Sequence, residues 1–197
     1  MRFVQPQFKS CTKEAFVDFW RCRYDVSAEH LYRDNIDEVK TEQVILNLFM
    51  WKNSGKLSAK KLRGVKEKYK PFNKVRKRLT RLYDDDALLS ELTSRESVIW
   101  DVFWLHCQDP LEFPIYDQHT HRAVMYIRAD TDDLEIPEYN KRKARAYVEV
   151  FRPFLKEFAS NPTICEARRI DQALFAFGKF LKGIDVRSWA GAEVINY

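Results

Sequence analysis

Glycine, proline and cysteine are all scarce here, at 5, 7 and 4 of 197 residues. Few tight turns are then available, which argues against many short strands and favours helices. The cysteines (Cys11, Cys22, Cys107 and Cys165) are widely spaced, with no CxxC pair and neither zinc nor iron–sulfur spacing. Cys107 falls in an apolar run that suits a reduced, buried thiol. No apolar run approaches the roughly 18 residues that a membrane crossing needs. The opening Met1-Arg2-Phe3-Val4-Gln5-Pro6 lacks the apolar core of a secretion signal. The expectation is an intracellular protein without membrane attachment, cytoplasmic in a bacterial or phage setting and nuclear in a eukaryote.

What is present can fill a core. Hydrophobic residues make up 45% and aromatic residues 14%, which excludes wholesale disorder. The length suits one domain, or two small lobes sharing a core. Net charge is only +5, but it is unevenly spread. Lys56 to Arg81 holds twelve Lys/Arg and one acid, Glu67, a local +11 that leaves −6 for the remainder. A concentrated basic segment on a chain otherwise negative points to a polyanion, most often nucleic acid; a solvated helix face is the plainer account.

Helical periodicity runs through most of the chain. Thr12 reads as an N-cap, with Phe16, Phe19 and Trp20 following. Asp37 to Lys52 predicts a helix with Val44, Ile45, Leu48, Phe49 and Trp51 on one face, ended by Asn53-Ser54-Gly55. In the basic segment Leu62, Val65, Tyr69, Phe72, Val75, Leu79 and Leu82 form an apolar stripe, and Pro71 predicts a split into two helices. Asp84-Asp85-Asp86 suits the start of a helix over Ala87 to Leu92. After the polar break Thr93-Ser94-Arg95-Glu96-Ser97, where Thr93 or Ser94 is the expected cap, Val98 to Cys107 is apolar nearly all round and must be central; its one charge is Asp101. Glu138 to Ala159 predicts an amphipathic helix bent at Pro153, and Cys165 to Lys182 a last one ended by Gly183.

The chemistry concentrates in Phe113-Pro114-Ile115-Tyr116-Asp117-Gln118-His119-Thr120-His121-Arg122-Ala123. Asp117 stands where a helix should begin, where amides and dipole keep a carboxylate ionised and fixed; an ordinary N-cap is the commonest use of such an Asp. His119 and His121 at i and i+2 point apart on a helix, which disfavours a metal pair. Arg122 suits a DNA phosphate or an internal acid. A carboxylate buried with Val98–Cys107 needs a reason; Asp101 suits reading the donor edge of an extruded base, or a buried ion pair. Trp100 and Trp104 suit core packing or base stacking.

This arrangement resembles the helix-hairpin-helix DNA glycosylases, closest to the 8-oxoguanine glycosylase-like proteins. The carrying residues are Pro114, Asp117, His119 and Arg122 in the order Pro, then Asp-x-His-x-x-Arg, after the apolar Val102-Phe103-Trp104-Leu105. The closing segment Arg169-Ile170-Asp171-Gln172-Ala173-Leu174-Phe175-Ala176-Phe177-Gly178 is similar to the family's last helix. The likeness is firm over residues 86–128. Two departures stand out: Thr93–Ser97 has neither the family's hairpin glycines nor the Schiff-base lysine of bifunctional members, whose position falls on about Ser97.

The resemblance implies an all-α fold of two helical lobes with the site between them: residues 36–128 in one lobe, 1–35 plus 129–197 in the other, together a single unit. It implies hydrolysis of a base–deoxyribose bond in double-stranded DNA, the damaged or modified base flipped out. Asp117 is the essential carboxylate, and the missing lysine implies water as nucleophile. His119, Asp101, Trp100 and Ser97 are the expected substrate contacts. Arg122, Arg95, Lys74, Arg76, Lys77 and Arg78 are the expected DNA contacts. No cofactor or metal is implied, and a monomer is expected. The alternative is a non-catalytic DNA-binding relative that kept the fold and the basic face.

Overall fold

A computed structural model describes residues 11–38, 40–129 and 134–183, with the backbone alone over 70–78. Every regular element in it is helical. The chain starts with α1 (Lys13–Arg21), capped by Thr12, whose hydroxyl accepts from the Ala15 amide at 3.2 Å. A short α2 (Glu29–Arg33) leads to α3 (Glu42–Lys52). This helix begins later than the expected Asp37, because Thr41 takes the extended cap geometry and accepts from the Val44 amide. Ser54 and Gly55, both at positive φ, turn the chain out of it.

The basic segment differs from expectation. One helix, α4 (Ala59–Val75), runs through Pro71, and the change comes later, where Arg76–Tyr83 tightens into a 3₁₀ helix. Next come α5 (Asp85–Thr93) and α6 (Val98–His106). Asp84 caps α5, accepting from the Ala87 amide at 2.8 Å. Neither Thr93 nor Ser94 caps α6: Ser94 closes α5, its hydroxyl donating to the Glu91 carbonyl at 2.7 Å. Ser97 stands at the α6 cap position and makes no side-chain cap bond.

After a loop come α7 (Gln118–Ile127) and α8 (Asn140–Arg145). The expected bend at Pro153 takes the form of a π segment, Ala146–Phe151, before α9 (Arg152–Phe158). Proline cannot donate to the preceding turn and crowds its carbonyl, and a wider turn accommodates both. The long α10 (Ile164–Lys182) opens on a capping box in which the Thr163 hydroxyl takes the Glu166 amide and Glu166 takes the Thr163 amide.

Two buried clusters meet on α6. Val98, Val102 and Leu105 join Leu88, Leu92, Val124, Leu174 and Phe177 in one. Phe103, Trp104 and Cys107 join Tyr32, Ile45, Leu48, Phe49 and Trp51 in the other. A helix apolar all round has to be covered on both sides, and each such side chain withdrawn from water contributes about 1.5–3 kcal/mol. α5, α6 and α7 pack with α1, α8 and α10, whereas Tyr32 belongs with α3.

At the seam between α7 and α10 a methyl on Gly178 would lie 1.9 Å from the His119 carbonyl oxygen. Only glycine permits that approach. Among the described residues no helix is long and apolar enough to cross a membrane.

Candidate active site

Asp117 is held from three sides. Its backbone is extended, and Oδ1 accepts from the amides of His119 at 2.8 Å and Thr120 at 3.0 Å. The Thr120 hydroxyl accepts from the Asp117 amide in return. Oδ2 receives Nζ of Lys52, the last residue of α3, at 3.0 Å. Each side chain of this pair is only 15% exposed. Burial alone pushes the Asp117 carboxyl upward, but Lys52 and the two amides outweigh it, and the net shift is down. Asp117 is therefore an ionised, oriented carboxylate.

The segment before Asp117 is pinned by its carbonyls. His106 donates from Nδ1 to the Phe113 carbonyl at 2.8 Å, which leaves Nε2 to accept from the Tyr32 hydroxyl at 2.9 Å. The Tyr147 hydroxyl donates to the Pro114 carbonyl at 3.2 Å. Arg152, buried, donates to the Glu112 carbonyl at 3.3 Å and pairs with Asp85 and Glu112. Burying this loop is possible because its polar backbone groups find partners.

Lys52 belongs to a larger charged cluster. Arg168 on α10 makes a two-point ion pair with Glu29 of α2, 2.7 Å at each contact, pairs with Asp171, and donates to the Tyr24 hydroxyl. Its guanidinium lies over the Tyr24, Tyr32 and Trp51 rings, and the Trp51 indole donates to Glu29. Burial pushes the Asp171 carboxyl up to about 6; Arg168 and Lys52 oppose this, while Asp117 and Glu29 add to it. Asp171, Arg168, Tyr32, His106, Pro114 and Ile115 are part of the lining of a cavity of about 730 Å³. Asp117 is not in its wall; Ile115, two residues before it, and Asp171, whose carboxyl its charge acts on, both are.

The other expected contacts fall elsewhere. Asp101 lies on α6 and pairs with Lys68 of α4 at 3.3 Å, its Oδ2 buried without a partner. Trp100 packs on Phe49 and carries Lys61 over its face. Asp101, Trp100 and Ser97 do not line the cavity, whereas Asp171 does.

Of the two partners expected for Arg122, a phosphate or an acid of the chain, the structure shows the acid. Arg122 is 2% exposed, clamped by Glu135 at 2.6 and 2.7 Å, and donates to the Gly178 carbonyl at 3.3 Å. It ties α7 to α10 and offers nothing to a phosphate. His119 packs its ring on Phe175 and has Nδ1 buried without a partner; burial keeps its pKa down. His121 is bonded through Nδ1 to the Tyr116 hydroxyl at 3.0 Å. Among the described residues no group of three or more His, Cys, Asp or Glu could hold a metal. Arg95 is exposed and paired with Glu91 in the α5–α6 connection. The side chains of Lys74, Arg76, Lys77 and Arg78 lie outside those described.

The sequence reading missed Lys52, Arg168 and Asp171. A signal existed. Lys52 continues the apolar stripe Ile45–Leu48–Phe49 by helical spacing, and Asp171 continues Leu174–Gly178–Leu181. A charge on a buried stripe must have a partner. Compared with known protein families, curated proteins and solved structures, the chain matches none.

Proposed function

We propose that this protein is a DNA glycosylase hydrolysing the N-glycosidic bond of a damaged or modified base flipped from double-stranded DNA, with Asp117 as the essential carboxylate. The proposed scaffold is of the helix-hairpin-helix glycosylase type, two lobes with the site between them. The observation that carries the reading is the state of Asp117: ionised, oriented by two amides at the start of α7, and braced by Lys52. Departure of a base leaves positive charge on the deoxyribose. A fixed carboxylate beside that carbon stabilises the charge and can take a proton from the attacking water. The α5–α6 connection with Arg95, and exposed cations of α4 such as Lys60, Lys61, Arg63 and Lys66, would hold the backbone.

DNA carrying a panel of modified bases is incubated with the protein and treated with alkali. Strand breaks are expected from wild type and not from Asp117→Asn, which keeps an acceptor at the cap. Salt-sensitive binding without breaks would replace the reading with a non-catalytic DNA-binding relative. Absence of binding at low salt would reject both.

The position of Lys52 favours a second reading, in which its ammonium passes a proton to Asp117, 3.0 Å away, and the freed amine rather than water attacks the sugar, the base leaves and a Schiff base forms. Borohydride present during turnover decides between them. A covalent protein–DNA adduct lost in Lys52→Gln means an amine nucleophile, and no adduct means water.

A further inference from the structure

We propose that Asp171 is a general acid of this site, donating a proton to the departing base in the cavity it lines while Asp117 serves the sugar. The proposal rests on the glycosylase reading and adds a second carboxyl to it.

The geometry supplies the argument. Three carboxyl groups (Glu29, Asp117 and Asp171) converge from α2, the start of α7, and α10 on two cations, Lys52 and Arg168. Lys52 is committed to Asp117, and Arg168 gives a two-point contact to Glu29. Among the described residues one carboxyl of this cluster is therefore in excess of the positive charge. In a buried cluster that excess is relieved most cheaply by a proton. Asp171 is the group that should carry it, because the one guanidinium that it contacts is also held at two points by Glu29. Arg168 engages its Oδ2, so the proton resides on Oδ1. The remaining neighbours, the hydroxyls of Tyr24 and Tyr32, stay protonated, since burial holds both well above the ordinary tyrosine value. His106 across the cavity stays neutral. Two carboxyls in one site are thus driven apart, Asp117 down and Asp171 up, which is the division of labour that acid–base chemistry needs.

The step balances. The C1′–N bond breaks and its electron pair goes to the base, which takes the Asp171 proton. Water adds to C1′ and gives its proton to the Asp117 carboxylate. Solvent exchange then returns both groups to their starting states.

The leaving group separates this role from a structural one. A cationic base such as 7-methylguanine departs without protonation, whereas hypoxanthine or 8-oxoguanine gains from it. Single-turnover excision is measured with duplexes carrying each, for wild type and Asp171→Asn. The expected result is a loss of about 100-fold or more on the neutral bases, a change of only a few-fold on 7-methylguanine, and disappearance of a rate decline centred near pH 6. Equal losses on both classes, or no loss on the neutral ones, would overturn the proposal. So would excision of the cationic base alone by wild type. Independently of turnover, carbon-13 NMR of aspartate carboxyls should show a group titrating near pH 6 that Asp171→Asn lacks; its absence overturns the proposal even if the glycosylase activity stands. Failure of wild type to excise any substrate removes the glycosylase reading, and the general-acid role with it.

Discussion

His106 and Asp171 act on stability in opposite directions as the protein is acidified. Burial holds His106 down to about 3, with Lys52, Arg168 and Lys40 adding to it and the Phe113 carbonyl opposing. Its folded pKa lies below the unfolded value of 6.5. The unfolded chain therefore gains a proton that the folded one refuses. The His106 contribution is complete above pH 6.5 and is lost progressively from there down to pH 3, at about 1.4 kcal/mol per pH unit. Asp171 is the reverse case. Its folded pKa, about 6, exceeds the ordinary 3.8, so ionising it penalises the folded state above pH 6, and that penalty fades as the pH falls toward 3.8. Between pH 6 and 4 the two partly cancel. Urea unfolding should accordingly show a shallow pH dependence for wild type, a steeper acid loss for Asp171→Asn, and a reduced one for His106→Gln. A steeper loss in the histidine variant would contradict the assignment.

The Lys52–Asp117 pair makes a second prediction at this scale. Removing one member leaves a charge in a site only 15% exposed. Lys52→Met should cost about 3–5 kcal/mol in thermal or urea unfolding. Adding Asp117→Asn to it should recover part of that loss, because the stranded carboxylate is then gone.

Among the elements, the α7–α10 seam is the tightest constraint. It is built from the His119 backbone lying on Gly178, the Arg122 guanidinium on the Gly178 carbonyl, and the His119 ring on Phe175. Gly178→Ala sets a methyl against backbone that cannot swing aside, and should destabilise by about 1–3 kcal/mol or more. It should also displace Asp117, two residues before His119. Gly64 in α4 is the control. Nothing lies within 4 Å of the added methyl, so Gly64→Ala should stabilise by about 0.5–1 kcal/mol. Midpoints moving the same way in the two variants would contradict this account of the seam.

For the whole molecule the governing feature is charge asymmetry, the +11 segment against a remainder of −6. Lys60, Lys61, Arg63 and Lys66 are exposed on α4, while Lys68 is shared with Asp101. If these cations neutralise phosphates, the logarithm of DNA affinity falls linearly with that of salt. Replacing Lys60, Arg63 and Lys66 by Gln should then lower the slope by about 0.9 for each phosphate no longer neutralised. Arg122→Met should leave the slope unchanged, since the Arg122 side chain is buried and already paired with Glu135. A changed slope there, with the fold intact, would overturn that placement.

The helices were legible in the sequence because each is written locally. Thr12, Thr41, Asp84, Asp117 and Thr163 each satisfy an orphan amide within three residues. Val98–His106, apolar nearly all round, could lie nowhere but between two packed clusters. Asp117 too was visible, as a cap. The identity of its partners was not. Lys52 reaches Asp117 across 65 positions, Arg168 reaches Glu29 across 139, and Gly178 meets His119 only where α7 and α10 close. Periodicity fixes which face of a helix is buried, but not which face of another helix it meets. The sequence by itself therefore determined the helical class, most of the helices and the caps at Thr12, Asp84 and Asp117. Tertiary packing decided that Arg122 is internal, that Asp101 sits with Lys68, and that Asp171 lines the cavity. Charge pairing in a core depends on distances through space that no local spacing encodes.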